Sequence, residues 1–151
     1  MLRHVMLILM DIFLHMVLNT LPSNEGRLEA LLFEAKGEWT DAERAYALIL
    51  ENNPFDQIVH KRKIAIAKAQ GDMALAVEYL NKYLELFMAD HDAWRELAET
   101  YVALQMYKQA AFCYEELILA QPTVPLYHLA YAEVSELCQT HPSFSQSLKE
   151  K

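Results

Sequence analysis

Apolar residues in this chain recur with a period of about 34 residues over positions 25–121. Within each period they fall into two stretches at spacings of three and four, with a short turn between them, which predicts a pair of antiparallel α-helices. In the first period the recurring positions hold Ala30, Phe33, Gly37, Trp39, Ala42, Tyr46, Ile49 and Pro54.

The same positions can be followed through two further periods without an insertion. The second period holds Ile64, Ala67, Gly71, Met73, Ala76, Leu80, Tyr83 and Met88. The third period holds Ala98, Tyr101, Gln105, Tyr107, Ala110, Tyr114, Leu117 and Pro122, and it adds Trp94 and Leu97 ahead of them. Helix pairs of this kind cannot bury their apolar faces alone, so the repeats are expected to stack on their neighbours.

Alanine, glycine and proline residues mark the crossings, turns and ends of the predicted helices. Ala42, Ala76 and Ala110 are expected at close helix crossings, where a larger side chain would push the helices apart. Gly37 and Gly71 fit left-handed turns after a helix, and Gln105 has to make the same turn without glycine. Prolines are expected just beyond the second helices of the first and third repeats because proline cannot continue a helix.

The predicted helices cover residues 25–36, 40–52, 57–70, 73–88 and 107–120. A further helix is expected between residues 88 and 107, with Asp90 as its N-terminal cap. Residues 22–24 are expected to end the helix that precedes them, and Ser23 or Asn24 is expected to cap the next one. A fourth first helix begins near Val124 and puts Tyr131 and Ala132 one period after Leu97 and Ala98. The pattern then stops, so we assign residues 25–137 to the repeat domain and 138–151 to a polar tail.

Residues 1–21 are almost entirely apolar and allow three interpretations. A signal peptide would need a small-residue cleavage site, which residues 19–22 do not offer. A membrane anchor would carry Asp11 in mid-segment, at a cost of about 2.5–3.5 kcal/mol. The third interpretation is a helix that packs on the first repeat, because His4, Asp11, His15 and Asn19 form one narrow polar stripe.

Composition and charge restrict the function. The 151 residues are 54% hydrophobic and carry a formal net charge of −8, so a role in binding nucleic acid, which needs a basic face, is not expected. Cys113 and Cys138 give no disulfide framework, and a buried, hydrophobic role is expected for Cys113.

The sequence offers no catalytic or cofactor-binding constellation. Its six histidines are scattered over different predicted helices, and it has neither a glycine-rich phosphate loop nor a nucleophile elbow. Cys138 and His141 have a spacing found in metal sites, but two ligands do not hold a zinc ion. We therefore expect no enzyme activity, no cofactor, no metal and no small-molecule substrate.

Taken together, the three periods resemble tetratricopeptide repeats. The third period is closest to that signature, with Trp94, Leu97, Ala98, Tyr101, Ala110 and Tyr114 in its characteristic positions. The predicted fold class is an all-α tetratricopeptide-repeat solenoid of antiparallel helix pairs, with three full repeats and a partial fourth.

Several runs of residues are more specific than a generic repeat. They are residues 27–30, 34–37, 60–65 and 68–71 and, above all, 92–99 and 110–117. These runs resemble the family of subunit 2 of the ER membrane protein complex, and its plant members in particular, over residues 26–134. Family members have further helices before this stretch and further repeats after it, and residues 1–21 and 135–151 are expected to depart from them.

The resemblance implies a function in membrane-protein insertion. It implies a non-catalytic scaffold subunit that lies on the cytoplasmic face of the ER membrane, peripheral to it, and holds other subunits of the complex. That complex places transmembrane segments, notably tail-anchored ones, into the bilayer.

A generic co-chaperone or peptide-binding adaptor is the alternative function. Proteins of that kind hold a peptide's terminal carboxylate between Lys, Arg and Asn side chains of successive first helices. Here the inner faces of the first helices are predicted to carry Arg27 and Leu31, then Lys61, Arg62, Ala65 and Lys68, then Asp92, Arg95, Glu96 and Glu99. The first helix of the third repeat carries three carboxylates, which would repel such a terminus.

We therefore predict partner-binding residues with opposed charges rather than a carboxylate clamp. They are Lys61, Arg62, Lys68, Asp92, Arg95, Glu96 and Glu99. The run at 60–63 can also be interpreted as a localisation signal or as an ordinary solvated helix face.

Overall fold

A computed structural model describes residues 22–140, which contain helices and turns but no strand. The helices are α1 (Pro22–Lys36), α2 (Trp39–Asn52), α3 (Gln57–Ala69), α4 (Met73–Leu86), α5 (His91–Ala103), α6 (Tyr107–Ala120) and α7 (Pro125–Thr140). The all-α prediction is confirmed. The helix proposed for residues 1–21 and most of the proposed tail lie outside the described residues.

The turn inside each repeat has the predicted left-handed residue. Gly37 and Gly71 have φ angles of 76° and 77°, and Gln105 has a φ of 59°. The same pair of hydrogen bonds closes all three turns, as in the third, where Gln105 N donates to Val102 O at 2.9 Å and Met106 N to Tyr101 O at 2.8 Å. The hydrogen bonds to the last helical carbonyls hold Gln105 in a conformation that favours glycine.

The helices form two compact units, which divide within α3 after Ile66. In the first unit α1 packs on α2. The buried cluster consists of Ala30, Ala42, Tyr46, Ile49, Val59 and Ile66, with Phe33, Trp39, Ala45 and Leu50 packed against it. Ala42 is fully buried, as expected for a residue at a close helix crossing.

In the second unit α5 packs on α4 and α6, and α6 packs on α7. Ala76, Ala98 and Ala110 are fully buried, and so are Leu80, Tyr83 and Leu117. Asp72 and Asp90 cap α4 and α5 by accepting from Leu75 N and Ala93 N at 2.9 and 3.1 Å. The predicted cap at Asp90 is confirmed, and Cys113 is buried as predicted.

Several predicted boundaries differ from the structure. Helix α1 begins at Pro22 rather than at Glu25, so Ser23 and Asn24 lie inside the helix instead of capping it, and proline's fixed φ suits a first helical turn. Helix α4 ends at Leu86 rather than at Met88, and its last carbonyls accept from the chain beyond, as in Phe87 N to Tyr83 O at 2.9 Å. Helix α7 continues to Thr140, so the predicted domain boundary at residue 137 falls inside a helix.

The partial fourth repeat is only partly buried. Ala132 is exposed although Ala98, one period earlier, is fully buried. Among the described residues no helix follows α7 to cover that side of it. Val134 is the one residue of α7 that is buried. None of the helices within residues 22–140 combines the length and the hydrophobicity that a transmembrane helix requires.

Replacing Ala110 with leucine should lower the free energy of unfolding by about 1–3 kcal/mol, because a fully buried crossing has no room for three more carbons. Chemical denaturation of the two proteins measures the change. Ala132→Leu is the matched control, since Ala132 is exposed, and should alter stability by less than about 0.5 kcal/mol. Equal effects of the two substitutions would show that the assignment of repeat positions is wrong.

Candidate functional site

Two of the predicted partner-binding residues, Lys61 and Arg62, lie on the exposed surface of α3 in the first unit. Arg62 Nη1 donates to Glu34 Oε1 of α1 at 3.4 Å. Glu34 also accepts from the Tyr46 hydroxyl at 3.0 Å. Burial of Tyr46, followed by its hydrogen bond to Glu34, raises the pKa of the phenol to about 12. Tyr46 therefore stays protonated and keeps Glu34 in position for Arg62.

The other five predicted residues belong to the second unit. The structure brings Lys68 and Glu96 together, with Lys68 Nζ at 2.6 Å from Glu96 Oε1. Asp92 and Arg95 pair along one turn of α5, with Arg95 Nη2 at 3.2 Å from Asp92 Oδ1. Glu99 is exposed on the same helix. Burial raises the pKa of Tyr114, and the negative charge of Glu99 adds to that shift.

This arrangement presents both signs of charge on α5 and at the end of α3. Lys68 is engaged by Glu96, and Arg95 by Asp92, so each of these cations already has a carboxylate partner. Exposed pairs of this kind contribute about 0–1 kcal/mol to stability, so the fold does not depend on them. They can exchange their partners for those of another protein at small cost.

Arg27 has a different role from the one predicted for it on an inner face. Its guanidinium pairs with the carboxylate of Asp56, whose side chain is only 4% exposed. Asp56 Oδ1 also accepts from Val59 N at 3.2 Å, which caps α3. Sequence reasoning missed Asp56, although an aspartate immediately before a helical stretch is a usual capping signal.

The second unit also contains a crevice that sequence reasoning missed. It has a volume of about 320 Å³ and is lined by Asn81 of α4, by Trp94, Leu97 and Tyr101 of α5, and by Lys108, Gln109, Phe112 and Cys113 of α6. We call it the Trp94 crevice. The rings of Trp94 and Phe112 meet edge to face, with centroids 6.4 Å apart. Trp94 Nε1 donates to Met88 O at 2.9 Å, which fixes the indole.

Cys113 is a free, buried cysteine of the second unit. Burial raises the pKa of Cys113 to about 12, so its thiol is not ionised at neutral pH and is a poor nucleophile. Residues 22–140 contain no cluster of three metal-ligating side chains. His141, whose spacing from Cys138 was noted above, lies outside the described residues.

A family model described as the EMC2 TPR-like repeat domain matches residues 6–150. ER membrane protein complex subunit 2 from Xenopus tropicalis is 45% identical over 130 residues, which cover 82% of this chain and 44% of the relative. The protein of the same name from Dictyostelium discoideum is 35% identical over 96 residues, which cover 64% of this chain and 30% of the relative. The chain thus spans less than half the length of these relatives.

The family match also corrects the predicted extent of the resemblance. The match covers most of residues 1–21 and 135–151, which were expected to depart from the family.

The fold is also found in proteins outside this family. A solved structure of the first TPR of Spaghetti (RPAP3) bound to HSP90 peptide SRMEEVD has a TM-score of 0.58 and 14% identity, covering 78% of this chain and 93% of that one. The predicted tetratricopeptide-repeat fold is confirmed.

Proposed function

Because the chain belongs to the family of ER membrane protein complex subunit 2, we propose that it is a non-catalytic scaffold subunit of that complex. It lies at the cytoplasmic face of the ER membrane and supports insertion of transmembrane segments through contacts with other subunits. The observation that carries the proposal is 45% identity over 82% of this chain. The chain spans 44% of the length of that relative.

The surface of the described helices supports a role in protein contacts. Helices α3 and α5 present charged side chains of both signs, and their ion pairs are half exposed. Charges at the rim of an interface select partners and orient them more than they add affinity. We propose that Lys61, Arg62, Lys68, Asp92, Arg95, Glu96 and Glu99 contact other subunits in this way. Such a scaffold needs no catalytic group.

The scaffold role is tested in cells from which the endogenous subunit 2 has been removed. We expect expression of this chain to raise the steady-state amounts of the other subunits, because a scaffold covers surfaces that would otherwise be exposed to proteolysis. Insertion of a tail-anchored reporter into the ER should rise in parallel. The comparison variant is Ala110→Leu, which destabilises the second unit and should raise the subunit levels less. Unchanged subunit levels with the folded chain present would contradict the proposal.

The location at the ER gives a separate prediction. In sealed microsomes, added protease should degrade the chain without detergent, and alkaline carbonate should release it from the membrane. A chain lacking residues 1–21 should behave identically if that segment packs on the first repeat. Protection from protease would contradict the cytoplasmic location. Resistance to carbonate that disappears on deleting residues 1–21 would instead identify an anchor.

A chaperone-tail receptor is the alternative, and the charges on α5 argue against it. The likeness to the HSP90-peptide complex, at 14% identity, concerns the fold alone. In this chain Lys68 is held by Glu96, and Asp92 and Glu99 add negative charge to the same helix. A peptide carboxylate placed there would lose its hydration and meet carboxylates, which is unfavourable.

We expect no binding of a Glu-Glu-Val-Asp peptide in a calorimetric titration, even at micromolar concentrations where modest recognition is detected. The matched variant is Glu96→Gln with Glu99→Gln, which removes two of the carboxylates; binding that appears only in this variant would show that these carboxylates exclude the peptide from the unchanged chain. Micromolar binding by the unchanged chain, abolished by Lys61→Ala or Arg62→Ala, would favour a co-chaperone.

A further inference from the structure

The Trp94 crevice lies on the side of α5 away from the charged residues discussed above. With about 100° between successive residues of a helix, Trp94 and Tyr101 share one stripe, and Asp92 and Glu99 share the opposite stripe. The crevice is therefore a second surface of the second unit, on the other side of α5 from Asp92 and Glu99. All of its lining residues belong to the second unit.

The crevice has the composition of a protein-binding hot spot. Phe112 is 53% exposed although it is a large aromatic side chain, and Trp94 and Tyr101 are only partly buried. Aromatic side chains around an apolar floor are enriched where interfaces bind an anchoring side chain. A volume of about 320 Å³ accommodates one or two side chains of a partner.

Polar groups at its edge have unused hydrogen-bonding capacity. The Asn81 amide nitrogen donates to Val77 O at 2.9 Å and to the Tyr101 hydroxyl oxygen at 3.2 Å. Within the described residues these bonds leave the Asn81 carbonyl oxygen and the Tyr101 hydroxyl hydrogen without a partner. A free acceptor beside a free donor matches the N–H and C=O groups of a peptide backbone.

The charge at its edge specifies the partner further. Lys108 is exposed and has no ion-pair partner among residues 22–140, although this chain carries a net charge of −8. Lys82 on α4, by contrast, is paired with Glu78 at 2.6 Å. Lys108 and Phe112 are four residues apart on α6, so they face the same side of that helix. A ligand with an apolar anchor in the crevice would place its neighbouring residues beside the Lys108 ammonium.

We propose that the Trp94 crevice binds a short segment of a partner protein that carries a bulky apolar side chain next to an acidic one. The apolar side chain packs against the Trp94 and Phe112 rings, and the carboxylate pairs with Lys108. The Asn81 and Tyr101 groups bond to the backbone of the segment. The buried, un-ionised thiol of Cys113 contributes apolar contact at the floor and forms no covalent bond.

The test uses the full chain and a library of random peptides of about 12 residues. The library is selected on the immobilised chain and counter-selected on a variant that combines Lys108→Glu with Phe112→Ser. Both substituted residues are exposed, so this variant is expected to fold, as a thermal melt will check. We expect the enriched peptides to share a bulky apolar residue within one or two positions of Asp or Glu.

Affinities of the enriched peptides then test each contact. We expect the crevice variant to bind at least about tenfold more weakly, while a control with Lys36→Glu and Phe55→Ser, the same exchanges on exposed residues of the first unit, changes affinity by less than about twofold. Lys108→Glu alone should weaken acidic peptides and strengthen versions in which Lys replaces the acidic residue. No enrichment over the crevice variant, or enrichment of basic peptides, would overturn the proposal.

Discussion

Replacing Asp56 with alanine is expected to lower the free energy of unfolding by about 3–5 kcal/mol, because it leaves a half-buried guanidinium without its counter-charge. Arg27 has no other ion-pair partner within residues 22–140, and its Nε atom is buried without a hydrogen bond. The same substitution removes the acceptor for Val59 N at the start of α3. Urea denaturation followed by circular dichroism measures the loss.

Asp72→Ala is the matched control, because Asp72 caps α4 through Leu75 N at 2.9 Å but is exposed. Losing a cap alone should cost about 0.5–2 kcal/mol. The difference between the two variants gives the contribution of the ion pair with Arg27. If Asp56→Ala costs no more than Asp72→Ala, the pairing of Asp56 with Arg27 does not stabilise the first unit.

Leu117→Ala should lower the free energy of unfolding by about 2–5 kcal/mol, since Leu117 is fully buried and its loss leaves a cavity. Leu119 lies two residues further along the same helix but is 76% exposed, so Leu119→Ala should change stability by less than about 0.5 kcal/mol. Chemical denaturation of both variants makes the comparison. Similar losses at the two positions would contradict the packing of α6 in the second unit.

The repeat fold could be predicted because each repeat satisfies the same local requirements. Gly37 and Gly71 mark turns by their backbone freedom, and Ala42, Ala76 and Ala110 mark crossings by their size. These signals depend on residues close together in sequence, and repeating them in phase adds to their weight. Even Gln105, which lacks glycine's freedom, could be assigned to its turn from the phase alone.

The ion pairs and the crevice could not be predicted because they depend on which side chains meet across helices. The pairing of Arg27 with Asp56 joins residues 29 positions apart, and the pairing of Lys68 with Glu96 joins residues 28 apart. The Trp94 crevice needs residues from three helices. Periodicity alone assigned Arg27 to an open inner face, whereas the buried carboxylate of Asp56 takes up its charge.

The start of α1 could not be predicted for a related reason, and the period alone did not decide which positions of α7 are covered. A proline such as Pro22 is compatible with either a break or a first helical turn, and the choice depends on the residues that follow. Ala132 has the same place in its period as Ala98, but burial requires a neighbouring helix as well as the right position. The repeat period therefore predicts which face of a helix is suited to burial, but it does not predict whether a neighbouring helix covers that face.

Affinity purification of the tagged full chain from detergent-solubilised ER membranes tests its membership of the complex most directly. The eluate is separated by size, and its proteins are identified by mass spectrometry. Ala110→Leu, which should damage the packing of the second unit, is processed in parallel. We predict that the unchanged chain migrates with the other subunits of the ER membrane protein complex and that the variant recovers smaller amounts of them. Recovery of the folded chain only as a free monomer, with no other subunit, would contradict its role as a scaffold.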